Sequence, residues 1–216
     1  MRYQNVIFDL DGVLVFTDEY HYAAWKTIAD RLGIPFDETI NNRLRGVSRM
    51  ESLEIILSHS DEQFTEAEKE AMAAEKNEIY RGHLENLSPQ SMSAETIQML
   101  DDLRAMGAGL AIGSSSKNAE FILQKTGIDH YFKAIVSGNN ITQTKPDPEV
   151  FLLAAKLLGA KPKDCLVIED AHAGIEAAHR GGFDSVGVGD AYSSELATYR
   201  VKRIGEVCDI AEQGRD

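Results

Sequence analysis

The sequence predicts a parallel α/β sheet interrupted by an all-helical insert, on three grounds. Short apolar runs of strand length, most of them β-branched, alternate with longer helical patterns, as expected for strands covered on both faces by helices. Several helical patterns stop at a glycine (Gly107, Gly127, Gly159, Gly181), the residue that tolerates the left-handed cap conformation. From about Thr17 to Leu87 the alternation ceases, and only helical patterns occur.

The first strand is expected over residues 5–10, reading NVIFDL. In the insert, Tyr20, Ala24, Ile28 and Leu32 recur at i, i+4 spacing on one face, and Leu53, Ile56 and Leu57 begin another. Residues 61–75 hold six acids and one lysine, the signature of a solvated helix surface. The crossings fall near Val15–Phe16 and Ser88–Pro89, so residues 1–15 and 88–216 are expected to form the α/β core and 16–87 the insert. Helices over 94–106, 117–126, 148–158 and 173–180 then alternate with strands over 109–113, 134–136, 165–168 and 185–188. There is no internal repeat and no low-complexity segment.

Composition narrows the function. The chain has 216 residues, 43% apolar and 26% charged, enough to bury a sizeable core. With 35 acids against 22 lysines and arginines its formal charge is −13, which disfavours nucleic acid and anionic membranes as partners. Small phosphorylated substrates are not excluded, since they need only a local positive cluster or a metal. Cys165 and Cys208 form no CxxC pair and provide neither a disulfide framework nor a cysteine-rich zinc site. Acids at positions 9 and 11 interrupt any signal-peptide core, and no stretch approaches the ~20 apolar residues of a membrane span. A cytoplasmic protein without membrane or nucleic-acid partners is expected.

Chemistry collects at the predicted strand ends, where parallel α/β sheets bind ligands. Asp9-Leu10-Asp11-Gly12 follows Val6-Ile7-Phe8; two carboxylates at i, i+2 favour a cation between them, although Asp and Gly are also ordinary turn residues. Gly113 to Asn118 offers hydroxyls and a helix N-terminus to an anion, or simply a serine cap. Thr144-Lys145-Pro146-Asp147-Pro148 alone reads as a surface loop with a proline-started helix. Glu169-Asp170 gives two more carboxylates, or another cap. Together these groups suit Mg2+ with a phosphorylated ligand: hard oxygen donors for the ion, a lysine for the phosphate, a carboxylate nucleophile and a second carboxylate to move a proton.

In this order, DLDG, a strand-end serine, Lys-Pro and Glu-Asp, the motifs resemble the haloacid dehalogenase (HAD) superfamily of phosphoryl-transfer enzymes. The chain is closer still to its β-phosphoglucomutase family. The matching stretches are Phe8 to Val13, Thr17, His21 with Trp25-Lys26, Gly46 to Arg49 with Glu51-Ser52-Leu53, Lys76-Asn77, Ser114 to Asn118, Lys145-Pro146, and Glu169-Asp170 with Ala173-Gly174-Ile175. The resemblance covers nearly the whole chain and implies a Rossmann-like, HAD-like core with an inserted four-helix cap. It implies Asp9 as the nucleophile that becomes an aspartyl phosphate, and Asp11 as acid/base that also lends Mg2+ a backbone carbonyl. Glu169 and Asp170 would complete the metal site, with Ser114 and Lys145 holding the transferring phosphate. Arg49 from the cap, with Ser116, Lys117 and Asn118 from the core, would hold the other phosphate. Thr17, His21, Trp25, Lys76 and the loop Gly46, Val47, Ser48 would face the sugar. Trp25, the only tryptophan, is also expected to anchor cap to core.

Two residues depart from the family pattern: Phe16 at the hinge, where a small or acidic residue is expected, and Ala171 after the metal acids, where a hydroxyl is frequent. The implied activity is an isomerase of β-D-glucose 1-phosphate and β-D-glucose 6-phosphate acting through a bisphosphate, in a cytoplasmic monomer. A sugar-phosphate phosphatase or a mutase of a related glycosyl phosphate is the alternative. A silent binding module has no need of Asp9, Asp11, Ser114, Lys145 and Asp170 together. Gly187-Val188-Gly189 is too late and too incomplete for a dinucleotide fingerprint.

Overall fold

The computed structural model describes residues 1–44 and 47–213. Six parallel strands form one sheet: β1 (Asn5–Phe8), β2 (Gly109–Gly113), β3 (Ala134–Val136), β4 (Cys165–Glu169), β5 (Asp184–Gly187) and β6 (Tyr199–Arg200), in the order β3-β2-β1-β4-β5-β6. Between β1 and β2 lie the insert helices α1 (Asp18–Arg31), α2 (Glu38–Asn42), α3 (Arg49–Leu57) and α4 (Glu66–Leu84). The remaining helices are α5 (Ala94–Ala105), α6 (Ala119–Thr126), α7 (Glu149–Leu157), α8 (His172–Arg180) and α9 (Val207–Gln213).

Period-two alternation splits the core into two layers. Val6 pairs with Leu110 and Leu166, and Phe8 with Ile112 and Ile168. All six face one cluster, with Leu100 and Leu103 of α5, Ile122 and Leu123 of α6, and Val207 and Ile210 of α9. Ile7, Ala111 and Val167 point the other way, onto Val150, Phe151 and Ala154 of α7 and Ala177 and Ala178 of α8. The insert has a cluster of its own, built from Trp25, Ile28, Phe36, Leu53, Ile56 and Met72 among others. Its helices start on strong signals: Ser48–Glu51 and Thr65–Glu68 form reciprocal capping boxes at α3 and α4.

Some boundaries differ from expectation. β1 ends at Phe8 instead of Leu10, because Leu10 O turns to accept the amides of Leu14 and Val15. α6 begins at Ala119, two residues late, because Ser116 and Asn118 are bound into turns. β5 is displaced one residue toward the N-terminus. β6 and α9 were not expected; β6 has two residues, one of them Arg200, and offers no apolar run. Trp25 belongs to the insert's own cluster and is 2% exposed, so it is not an anchor buried in the sheet core.

The strand order reverses direction at β1/β4: the chain runs outward from β1 through β2 to β3, then returns to build β4, β5 and β6 on the other side. The crevice beyond the carboxyl ends of those two strands is where open α/β sheets hold ligands; Asp9 directly follows β1, and Glu169 ends β4.

Candidate active site

Asp9 extends β1 by one bond, its amide donating to Ile168 O at 2.9 Å. Its carboxylate accepts from Lys145, which is 1% exposed and also donates to Glu169 Oε2 at 2.7 Å. Glu169 Oε1 accepts the amides of Asp170 and Ala171 at 3.1 and 3.0 Å. Two glycines make room for this packing. A Cβ on Gly12, at φ 84°, would lie 2.1 Å from Asp170 Oδ2, and one on Gly174 would lie 2.0 Å from Glu169 Oε2. Burial pushes the Asp9 carboxyl up, against the pull of Lys145. Burial alone would lower Lys145, but the charges of Asp9 and Glu169 outweigh it and hold the ammonium above its usual range.

Oxygens of Asp9, Glu169 and Asp170 lie within 4.8 Å of one another, all three residues buried. Sulfur and imidazole take no part in this cluster, and the donor set fits a hard divalent cation. The carboxylate of Asp11 is not in the cluster; it accepts from the Thr17 hydroxyl. Burial raises the Asp11 carboxyl, and the Thr17 bond opposes that.

Beyond β2, Ser114 is 1% exposed, and its amide donates to Val136 O. Ser114 Oγ accepts from Ser116 N at 3.1 Å, and Ser116 Oγ accepts from Asn118 N at 3.2 Å, so the loop is wound by its own hydroxyls. Ser114, Ser116, Lys117 and Asn118 all border a cleft of about 710 Å³ that also takes in Asp9, Asp11, Glu169 and Asp170.

The insert forms the opposite wall, with His21, Trp25, Val47, Ser48, Arg49 and Lys76 bordering the same cleft. Lys76 Nζ lies 2.8 Å from His21 Nδ1, 4.9 Å from the centre of the Trp25 ring and 4.6 Å from that of Tyr80. Burial and the neighbouring Arg49 bring Lys76 down to about 7, although Asp11 pulls the other way. Burial and the Lys76 and Arg49 charges hold His21 well below its usual value, as a neutral imidazole. Arg49 Nη2 donates to Asn77 Oδ1 at 2.8 Å. Thr17 and Lys145 are 1% exposed and are not on the cleft wall: Thr17 stands behind Asp11, Lys145 behind Asp9 and Glu169. Gly46 lies outside the described residues. Phe16 is 69% exposed, and Ala171 contributes its amide to Glu169 but no side-chain cap to α8.

A family model described as haloacid dehalogenase-like hydrolase matches residues 3–182. The chain belongs to the haloacid dehalogenase-like hydrolase family. Among similar HAD-like proteins, β-phosphoglucomutase of Bacillus subtilis (strain 168) is 44% identical over 186 residues, 85% of this chain and 82% of that protein. Fructose-1-phosphate phosphatase YqaB of Escherichia coli (strain K12) is 32% identical over 87% of this chain and 97% of its own. The crystal structure of β-phosphoglucomutase from Clostridium difficile superposes with a TM-score of 0.89 at 37% identity, covering 95% and 93% of the two chains.

Some residues of this HAD-like site were not assigned roles from sequence. Tyr80 is 1% exposed and stacks on His21 with ring centroids 4.0 Å apart. It lies four residues after Lys76, one turn along the same face of α4, and that spacing was the available signal. Asn77 and Glu51 stand inside stretches that match the family pattern, without a role of their own; Arg81 carries no comparable signal, nor does the 2.9 Å bond from Thr144 to Glu51 between the loop of Lys145 and the insert.

Proposed function

We propose that this chain is a phosphomutase interconverting β-D-glucose 1-phosphate and β-D-glucose 6-phosphate through an aspartyl phosphate and a bisphosphate. The observation that carries the reading is that one cleft holds both a carboxylate pair beside Ser114 and Lys145 and a cationic group in the insert, Arg49, facing the core residues Ser116, Lys117 and Asn118. A bisphosphate must be held at both ends, and a simple monoester need not be. The similarity to two β-phosphoglucomutases supports this.

In this reading Asp9 attacks phosphorus, and the bond to the leaving oxygen breaks as Asp11 supplies its proton. In the second half, Asp11 takes the proton of a sugar hydroxyl, that oxygen attacks phosphorus, and the bond to Asp9 breaks, returning the carboxylate. Lys145 neutralises the nucleophile's surroundings and Ser114 holds a phosphoryl oxygen. Thr17 orients Asp11. His21, neutral, and Lys76 orient the sugar from the cap, with Trp25, Val47 and Ser48 bordering it. Asp9, Glu169, Asp170 and the Asp11 carbonyl would hold Mg2+, which supplies charge neutralisation for the phosphoryl oxygens. Residues 1–15 and 88–216 act as the core and 16–87 as a cap that closes over it, in a cytoplasmic monomer. Among the described residues no helix is long and apolar enough to cross a membrane.

The second reading, a sugar-phosphate phosphatase or a mutase of another glycosyl phosphate, is favoured by the fructose-1-phosphate phosphatase relative. Phosphorus NMR with Mg2+, a trace of bisphosphate and a panel of hexose phosphates tests both. Conversion of the 1-phosphate signal to the 6-phosphate is expected; inorganic phosphate as the main product overturns the mutase.

A further inference from the structure

Asn118 is 6% exposed and is held by two groups of the insert helix α4. Its Oδ1 accepts from Arg81 Nη1 at 3.1 Å, and its Nδ2 donates to Asn77 Oδ1 at 3.0 Å. The same Asn77 oxygen accepts from Arg49 at 2.8 Å. Arg49, Asn77 and Asn118 border the cleft, but Arg81 does not. Arg81 is half-buried, and its guanidinium carbon rests 4.4 Å over the ring of Phe121 on α6. One turn further along α4, Glu85 pairs with Lys125 of α6. Positions 77, 81 and 85, the last at the cap of α4, are spaced by four and thus form one stripe that runs from Asn118 at the start of α6 to Lys125 near its end.

We propose that Arg81 is a positioning residue for the phosphate that is not reacting; this rests on the mutase reading above. An asparagine amide is nearly symmetric in shape, but its two ends are opposite in hydrogen-bonding sense. Were the Asn118 amide reversed, its NH2 would face the Arg81 guanidinium, donor to donor, and its oxygen would face the Asn77 oxygen, acceptor to acceptor. Arg81 and Asn77 therefore fix one orientation, with the amide N–H groups on the side of Asn77 and Arg49. Those are the donors a phosphate needs; a reversed amide would offer it a repelling carbonyl. Arg81 reaches Asn118 from the insert, so the orientation is enforced only while α4 lies against α6. Arg49 brings charge to the phosphate directly, and Arg81 acts through a core residue, coupling the seating of the insert to the completeness of the core's phosphate loop.

The test uses Arg81→Met, which keeps an unbranched stem over Phe121 without donors, and Arg81→Lys, which keeps a charged donor. Kinetics are compared on β-D-glucose 1-phosphate with bisphosphate and on p-nitrophenyl phosphate, which has no second phosphate. Arg81→Met should raise KM for the sugar phosphate about five-fold or more relative to its effect on the small ester, with kcat less affected. Arg81→Lys should recover most of that loss. In an Asn118→Ala background, Arg81→Met should add less than about two-fold. Equal losses on both substrates, or full additivity with Asn118→Ala, would overturn the proposal. Arg49→Ala serves as the parallel control. If it fails to discriminate the substrates, the distal-phosphate reading falls and this inference with it. If Arg49→Ala discriminates and Arg81→Met does not, only the role of Arg81 falls.

Discussion

Asp9 and Lys76 are both buried charges, held in opposite ways. Asp9 has a partner: Lys145 donates to it and is itself fixed by Glu169, which opposes the upward push of burial on the Asp9 carboxyl and leaves it little freedom to turn. Replacing Asp9 by Asn preserves shape and leaves Lys145 paired with Glu169. The variant should fold with a near-parental melting temperature yet lose turnover by several orders of magnitude. Phosphoryl trapping and peptide mass spectrometry should then label Asp9 in the parent and no carboxylate in the variant. Lys76 instead lies against aromatic rings and a neutral imidazole, and burial with the nearby Arg49 charge takes it down to about 7 from the ordinary lysine value of 10.5, against the pull of Asp11. A depressed lysine costs stability wherever the folded protein must hold its charge. Below pH 7 both folded and unfolded chains are protonated and the cost is full; between 7 and 10.5 the unfolded chain binds more protons, so stability rises with pH; above 10.5 the cost is gone. The stability of Lys76→Met relative to the parent should therefore increase as pH falls from 10 to 7. The change should be on the order of a few kcal/mol, read from urea unfolding at each pH. A pH-independent difference would mean Lys76 keeps its ordinary value.

α8 shows how one element serves the site without supplying a reacting group. A helix-interior Gly→Ala change ordinarily stabilises by about 1 kcal/mol. At Gly174 the sign should reverse, because the new Cβ would lie 2.0 Å from Glu169 Oε2, which Lys145 holds while two amides hold the other oxygen of the same carboxylate. Overpacking of this kind costs about 1–3 kcal/mol, so Gly174→Ala should lower the urea midpoint, and displacement of Glu169 should weaken Mg2+ binding by calorimetry. This contact illustrates what could be read in the chain alone. The central strands were legible because Val6-Ile7-Phe8 and Leu166-Val167-Ile168 are buried on both faces, and the acids that end them follow directly. β6 was illegible, since a two-residue edge strand pairs through its backbone and leaves no pattern. Gly174 stood inside a matched motif, but which oxygen its missing side chain accommodates depends on a residue five positions earlier. Arg81 and Asn118 are 37 positions apart, and nothing local in either segment announces their bond.

At the scale of the whole molecule, the cleft lies between the sheet core and the insert; the insert has an apolar cluster of its own, while Ala24 of α1 and Tyr80 and Leu84 of α4 pack into the sheet's cluster. The polar contacts between core and insert at the mouth are few and exact in chemistry: Thr144 donates to Glu51 at 2.9 Å, and Asn118 is held by Asn77 and Arg81. Isolated polar contacts of this kind are each worth about 1 kcal/mol, so a ligand that bridged insert and core would shift the balance between closed and open forms. Arg49 is placed to change that balance on binding. It is half-buried at the start of α3, and it shares the Asn77 oxygen with Asn118 of the core loop. A guanidinium can take a phosphate by two parallel hydrogen bonds, so a second phosphate would tie α3 to the loop of Ser116 and Asn118 and favour the closed form, excluding water from the aspartyl phosphate. Arg49→Ala should therefore cost at least ~2 kcal/mol in mutase transition-state stabilisation and much less in hydrolysis of a small ester that carries one phosphate. Steady-state kinetics on both substrates measure the difference. Phe16 is exposed at the crossing into the insert and takes no part in the Arg49–Asn77–Asn118 bonds, so the substrate contrast should persist in Phe16→Ser. Equal losses on the two substrates would make Arg49 a structural contact of α3 and leave water, not a sugar hydroxyl, as the acceptor from Asp9.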